Sequence, residues 1–268
     1  MWLVKNITFI LLLISSLSFY GQSSKTVVPF KGKSIVTDQF GYYYEITDNE
    51  IKKYTSNDGV FNYTYSNNVL GVIANVDVTN PYKTVVYFRD FSKIIILDNT
   101  LSPTTELIEL KEIDLEATSL VCRSYNNGFW YYNFINFQLT RVDENQENFN
   151  KSANISTLIN KNIQPNFLVE YNNRLYLNDS INGILVFDIY GTYLKTLPIY
   201  HLDEFQVKDK FVLYVNENNQ IETYDFFTLE KHVYQPDNYK NVKFVRIENS
   251  TIFVVDKNNR LIIDKIKE

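Results

Sequence analysis

An all-β fold built from six small sheets is what this 268-residue sequence predicts, on three observations. First, 21 Tyr and 19 Phe stand against only 8 Gly and 6 Pro, so residues that suit a pleated, half-buried surface far outnumber the breakers. Second, strand-like segments alternate at period two and stop at Asn- and Asp-rich turns. Third, the pattern repeats. Tyr43, Val86, Tyr131, Tyr176, Tyr214 and Phe253 fall at equivalent places, separated by 43, 45, 45, 38 and 39 residues. Units of about 40 to 50 residues with four short strands are the blades of β-propellers, whose sheets bury their faces against one another around a central axis. Six such units fit the chain, so a six-bladed β-propeller closed by its N-terminal strand is expected.

A leader precedes the blades. Met1 to Asn6 is a short start carrying Lys5, and Ile7 to Phe19 is an apolar run interrupted by serines. A membrane span needs roughly 20 apolar residues, so the shorter run reads as a secretory signal peptide rather than an anchor. A small-x-small cleavage site lies at Gly21-Gln22-Ser23, with alternatives at Ser16/Ser18 or directly after Gly21. The assignment is a signal peptide over 1–23 and a single β-propeller domain over 24–268. The mature protein is expected in the periplasm or secreted, with no membrane span after cleavage. The one Cys, Cys122, lies far from the cleavage region and has no intrachain partner for a disulfide. Within Ser119-Leu120-Val121-Cys122 it reads as a buried small hydrophobe.

The fourth unit shows the strands best: Asn166 to Glu170, Arg174 to Asn178, Gly183 to Asp188 and Thr192 to Leu197. Asn172-Asn173 and Ile189 to Gly191 are two of its turns, and in the third, Asp179 to Asn182, Asn and Asp bond the turn backbone through their side chains. The last unit has only three strands, Lys243 to Ile247, Ile252 to Val255 and Leu261 to Ile266. Lys25 to Phe30 belongs to no other unit and supplies the fourth, which removes two exposed sheet edges. Pro29 suits an outermost position, where no donor is needed on the solvent side. Between units three and four, Asp143 to Asn154, continuing to Asn162, reads as one long loop.

The run from Asn172 to Leu197 has a strand ending in an Asp turn at Asp179, an aliphatic strand ending in Phe187-Asp188, and a hairpin at Gly191-Thr192-Tyr193-Leu194. This resembles a blade of the NHL-type six-bladed β-propellers. Elsewhere Asp179, Asp188 and Gly191 have scattered counterparts such as Asp225 and Asp256. The resemblance implies a ring used mainly for binding, and it implies no reaction. The 32 Asn, the richness in Ile, Lys and Tyr, and a leader ending Tyr20-Gly21-Gln22 are similar to exported proteins of the Bacteroidota. Exported propellers of that group accompany outer-membrane machinery and include the plug subunit of the type 9 secretion translocon. That similarity implies a protein partner in an outer-membrane or secretion complex.

Composition narrows the chemistry. Lys+Arg 26 against Asp+Glu 31 leaves a formal charge of -5, without the basic excess that a phosphate-tracking groove needs, so no nucleic acid is expected as a partner. His201 and His232 are far apart in no metal-ligand spacing and read as surface histidines. There is no Gly-x-Ser-x-Gly elbow and no phosphate-cradling glycine loop. Asp90, Asp179, Asn182, Asn218 and Asp256 are placed as turn formers. No catalytic residue, metal ligand or cofactor is assigned. The alternative is a calcium-dependent hydrolase, or a glycan or small-molecule binder, using the propeller channel.

The informative departure from turn chemistry is apolar. The turns between the second and third strands share one face of the ring. In units one, five and six they are polar: Thr47 to Asn49, Glu217 to Asn219 and Asp256 to Asn259. The three adjacent units between carry Phe91, Phe134 with Ile135, and Ile181. A contiguous apolar sector on polar turns is the signature of a protein-binding surface. The competing account folds these side chains back onto their own blades. The functional expectation is an exported, non-catalytic propeller acting as a protein-binding or assembly subunit.

Overall fold

Each sheet of this protein is a run of short strands rich in β-branched and aromatic residues, and many of the turns joining them are closed by an Asn or Asp side chain. The computed structural model describes residues 25–266, apart from 56–58, 105–106, 146–148 and 235–238. Six antiparallel four-stranded sheets make up the described chain, over residues 34–66, 73–109, 118–151, 165–197, 206–234 and 242–265 with 26–29. They are blades one to six of a β-propeller, with the first strand of each lining a central channel. The six positions that set the sequence period all lie on second strands and are all buried.

Blade six is completed by the N-terminal strand, as expected. Thr26–Pro29 pairs antiparallel with Arg260–Lys265, placing Thr26 opposite Ile263 and Pro29 opposite Arg260. Phe30 N then donates to Asn259 O at 2.9 Å, and the Phe30 ring is buried among Ile35, Tyr43, Phe253 and Leu261. Those neighbours come from blades one and six, so the closing segment joins the first sheet to the last. Asn249 Nδ2 donates to Gln39 O at 2.8 Å across the same junction. Fully burying one such aromatic is worth about 1.5 to 3 kcal/mol, which makes Phe30 a large part of the closure.

The cores lie between blades. Tyr44, Ile46 and Ile51 of blade one meet Ile73, Val86 and Phe88 of blade two. Cys122 is fully buried between blades three and four, which pushes its thiol well up. Blade four matches its sequence reading to within a residue or two at each strand end. At its last hairpin Asp188 Oδ1 accepts from Tyr190 N and Thr192 N at 2.9 and 2.8 Å, and Gly191 sits at a φ of 83° that few side-chain-bearing residues tolerate.

One expectation needs correction. The stretch read as a single long loop contains the outermost strand of blade three, Phe149–Lys151, and a short helix, Ile155–Ile159. Asn154 caps that helix by accepting from Thr157 N at 2.8 Å. The strand was hidden because all three of its residues are exposed, so it carries no alternation. The expected leader, 1–23, lies outside the described residues. Among the described residues no helix is long and apolar enough to cross a membrane.

Candidate protein-interaction face

In an up-and-down blade the turn between strands two and three returns to the face where the chain passes to the next blade. Backbone bonds tie these two kinds of segment together: Ile73 N to Asp48 O at 2.7 Å, Phe134 N to Ala117 O at 3.2 Å, His201 N to Ser180 O at 2.7 Å and Val242 N to Asn219 O at 3.0 Å. They make one continuous ring face.

Its turns share a local device. An Asn or Asp at the end of the second strand accepts, through Oδ1, the N–H of the residue two further on. Asn133 holds Ile135 N at 2.9 Å, Asp179 holds Ile181 N at 3.0 Å, Asn216 holds Asn218 N at 3.0 Å and Asp256 holds Asn258 N at 2.9 Å. Four blades therefore present a tip residue held by the same side-chain bond, although the acceptor also takes the amide three residues on in blades three and four, Asn136 and Asn182, and the amide four residues on in blades five and six, Gln220 and Arg260. Blades five and six fill it with Asn, and blades three and four with Ile. The device accepts a polar tip, so it does not explain the isoleucines.

The four residues singled out in sequence all face solvent: Phe91 is 54% exposed, Phe134 53%, Ile135 63% and Ile181 74%. They do not fold back onto their blades. Phe91 sits on a single 3-10 turn, Arg89–Phe91, ended by Ser92 in the left-handed region. The same face also exposes Val69 and Val72 between blades one and two, Leu158 on the short helix, and Tyr200 between blades four and five. These four were missed. For Val69 a signal existed: Asn67 Oδ1 accepts Val69 N at 2.9 Å, so the spacing of Asn-x-apolar repeats that of Asn133 and Ile135. The same spacing places Phe40, Tyr82, Tyr190 and Phe227 after Asp38, Asn80, Asp188 and Asp225 on the opposite face. Phe40 and Tyr82 meet edge-on at 5.7 Å.

The expected turn formers behave mostly as read. Asp179 also accepts from Asn182 N, and Asn182 Nδ2 reaches across to Asn162 O at 2.8 Å. Asp90 instead accepts from Val72 N of the neighbouring connection at 3.2 Å. In blade five the acceptor is Asn216, and Asn218 is the tip. Burial alone would push the Asp256 carboxyl up, but the Arg260 amide and guanidinium and the Asn258 amide outweigh it and hold it below the usual range. Asp225 is held down by the Phe227 amide, with Lys210 assisting at 3.0 Å.

The channel encloses about 1060 Å³ between the first strands. On its wall Arg246 Nη2 lies 2.9 Å from Glu204 Oε1, both largely buried. Burial raises the Glu204 carboxyl, and Arg246 opposes that rise. Asn166, Asn178 and the Leu202 carbonyl bond one another beside it, with both amides donating to Leu202 O at 2.9 and 2.7 Å. Asn178 Oδ1 and Glu204 Oε1 are buried there without a hydrogen-bond partner among the described residues, although Arg246 lies within ion-pair distance of the latter. Both histidines are exposed, each 3.6 Å from a glutamate, His201 from Glu217 and His232 from Glu230. Among the described residues no three His, Cys, Asp or Glu side chains come together as a metal-binding group.

No family model matches the sequence, and no curated protein matches it. Solved structures do resemble it. BamB from Moraxella catarrhalis superposes with a TM-score of 0.54 at 10% identity, over 91% of this chain and 99% of that one. A streptogramin B lyase gives 0.57 at 13%, over 91% and 88%. A catalytically inactive virginiamycin B lyase from Staphylococcus aureus, with quinupristin, gives 0.56 at 13%, over 91% and 89%. At such identities the likeness is one of fold: this chain is a six-bladed β-propeller.

Proposed function

We propose that the protein is an exported, non-catalytic propeller that binds a protein partner through the face carrying Phe91, Phe134, Ile135 and Ile181, as an assembly subunit of outer-membrane or secretion machinery. The observation that carries this reading is the pair of exposed isoleucines at tips where the corresponding turns of blades five and six hold Asn. Large side chains kept in water across three adjacent blades are disfavoured unless a partner covers them. Two or three such anchors can dominate an association. The fold does not decide the matter, since lyases share it.

Replacing Phe91 and Phe134 with Ser tests the role. A thermal melt should move little, because both side chains are already exposed, while retention of a partner from native membranes should be lost. A melt lowered by many degrees with the partner retained would sink the proposal. The channel offers a second reading, a glycan or small-molecule binder or a calcium-dependent hydrolase, favoured by a volume at the upper end of ligand pockets. Stoichiometric calcium in the purified protein would support it.

A further inference from the structure

Resting on that reading, we infer that the apolar sector docks a protein segment whose large apolar side chains are flanked by Lys or Arg. The connection between blades two and three is fastened to both phenylalanine turns. Leu110 N donates to Ser92 O at 3.0 Å, Ser92 Oγ donates to Glu116 O at 3.1 Å, and Phe134 N donates to Ala117 O at 3.2 Å. Ser92 follows Phe91 in sequence, so residues 111–116 fill the gap between the two exposed rings.

That gap is acidic. Glu112, Asp114 and Glu116 are exposed there, and Asp90 beside Phe91 adds a fourth carboxylate, against Lys111 and Arg89. Among the described residues none of these four carboxylates forms an ion pair, although nearby Glu109 pairs with Lys93 at 2.7 Å and Asp48 with Lys33 at 3.0 Å. A chain that seats apolar anchors beside Phe91 and Phe134 carries its flanking residues over this run. Basic flanks gain attraction there and acidic flanks meet repulsion, which selects the partner by sign. The same sign disfavours an anionic lipid surface.

A phage-displayed random peptide library selected on the full chain provides the test. Enriched peptides should combine Phe, Leu or Trp with Lys or Arg, and their binding should weaken as salt rises. Neutralising the gap with Glu112→Gln, Asp114→Asn and Glu116→Gln, which preserves shape, should weaken the synthetic peptides by about tenfold, equivalent to about 1.4 kcal/mol. Peptides without a basic excess, or equal binding by the neutralised protein, would overturn the inference and leave the partner-binding role standing. Retention on anionic vesicles would overturn it as well. If Phe91→Ser with Phe134→Ser, shown to be folded by its melt, bound the peptides unchanged, inference and role would fall together.

Discussion

Blades three and four and blades five and six present, on the same face of the ring, turns that open with the same side-chain bond, and they differ in the two residues after its acceptor: Phe134-Ile135 and Ser180-Ile181 against Glu217-Asn218 and Lys257-Asn258. Asn133 and Asp179 bond the amides of Ile135 and Ile181; Asn216 and Asp256 bond the amides of Asn218 and Asn258, all within 2.9 to 3.0 Å. In both halves the acceptor satisfies the tip amide whatever side chain the tip carries. The tip side chain contributes little to either fold, and its chemistry is free to follow a contact outside the chain. That separation of scaffold from tip is how a repeat protein varies its surface without disturbing its sheets.

Four experiments bear on this contrast. The largest effect is expected from deleting Lys25 to Phe30, because both halves depend on a closed ring. The deletion removes the ladder between Thr26–Pro29 and the last strand and takes Phe30 out of its core. Loss of a buried Phe alone costs about 3 to 5 kcal/mol, so the truncated protein should aggregate or lose its cooperative melt. A monomer with an unchanged melting temperature would mean that the ring is not closed there, and adjacency of the three apolar blades would lose its meaning.

Removing the acceptors comes next. Asp179 takes hydrogen bonds from the amides of Gln164, Ile181 and Asn182, and Asp256 from those of Asn258 and Arg260. Asp179→Ala and Asp256→Ala should each cost about 1 to 3 kcal/mol in denaturant unfolding, since each buried carboxylate takes charge-assisted hydrogen bonds from its turn amides and their loss leaves those amides without an acceptor. Similar costs in the two halves would confirm a shared scaffold; a cost confined to one half would dissolve the comparison.

Exchanging the tips should then do almost nothing to stability. Ile135→Asn with Ile181→Asn, and in the other half Asn218→Ile with Asn258→Ile, should each change unfolding free energy by no more than about 0.5 kcal/mol per site, as surface substitutions do. Only the first pair should weaken partner binding. A loss of several kcal/mol on the first exchange would show that the isoleucines belong to the fold.

The smallest effect is in acid. The Asp256 carboxyl is held below its usual range in the folded state, so its contribution is fully present above the unfolded value near pH 4 and is lost as pH falls through the folded one. Asp98 and Asp225 follow the same rule, the first held down by the Ser102 amide and the Thr100 hydroxyl, the second by the Phe227 amide. The stability gap between wild type and Asp256→Asn should be constant near neutrality and shrink below pH 4. A gap that widened in acid would contradict the depressed carboxyl.

The amino-acid sequence by itself determined the period, the number of sheets and the strand that closes them. Those are one-dimensional properties: Tyr43 through Phe253 recur at a blade's spacing, and a last unit one strand short leaves Lys25 to Phe30 as its complement. It also marked the four tip residues, because the turns between second and third strands carry large apolar side chains in units two to four and polar ones in units one, five and six. Phe149–Lys151 was illegible, since an outermost strand with every side chain in water has no alternation to read. Where those tips stand relative to their neighbours follows from the packing of one blade against the next. Val69, Leu158 and Tyr200 join the sector because connections from different blades are hydrogen-bonded to its turns, and residues 111–116 lie between Phe91 and Phe134 for the same reason. Exposure and local charge depend on what the next blade brings alongside, and that is set by packing between sheets rather than by sequence order.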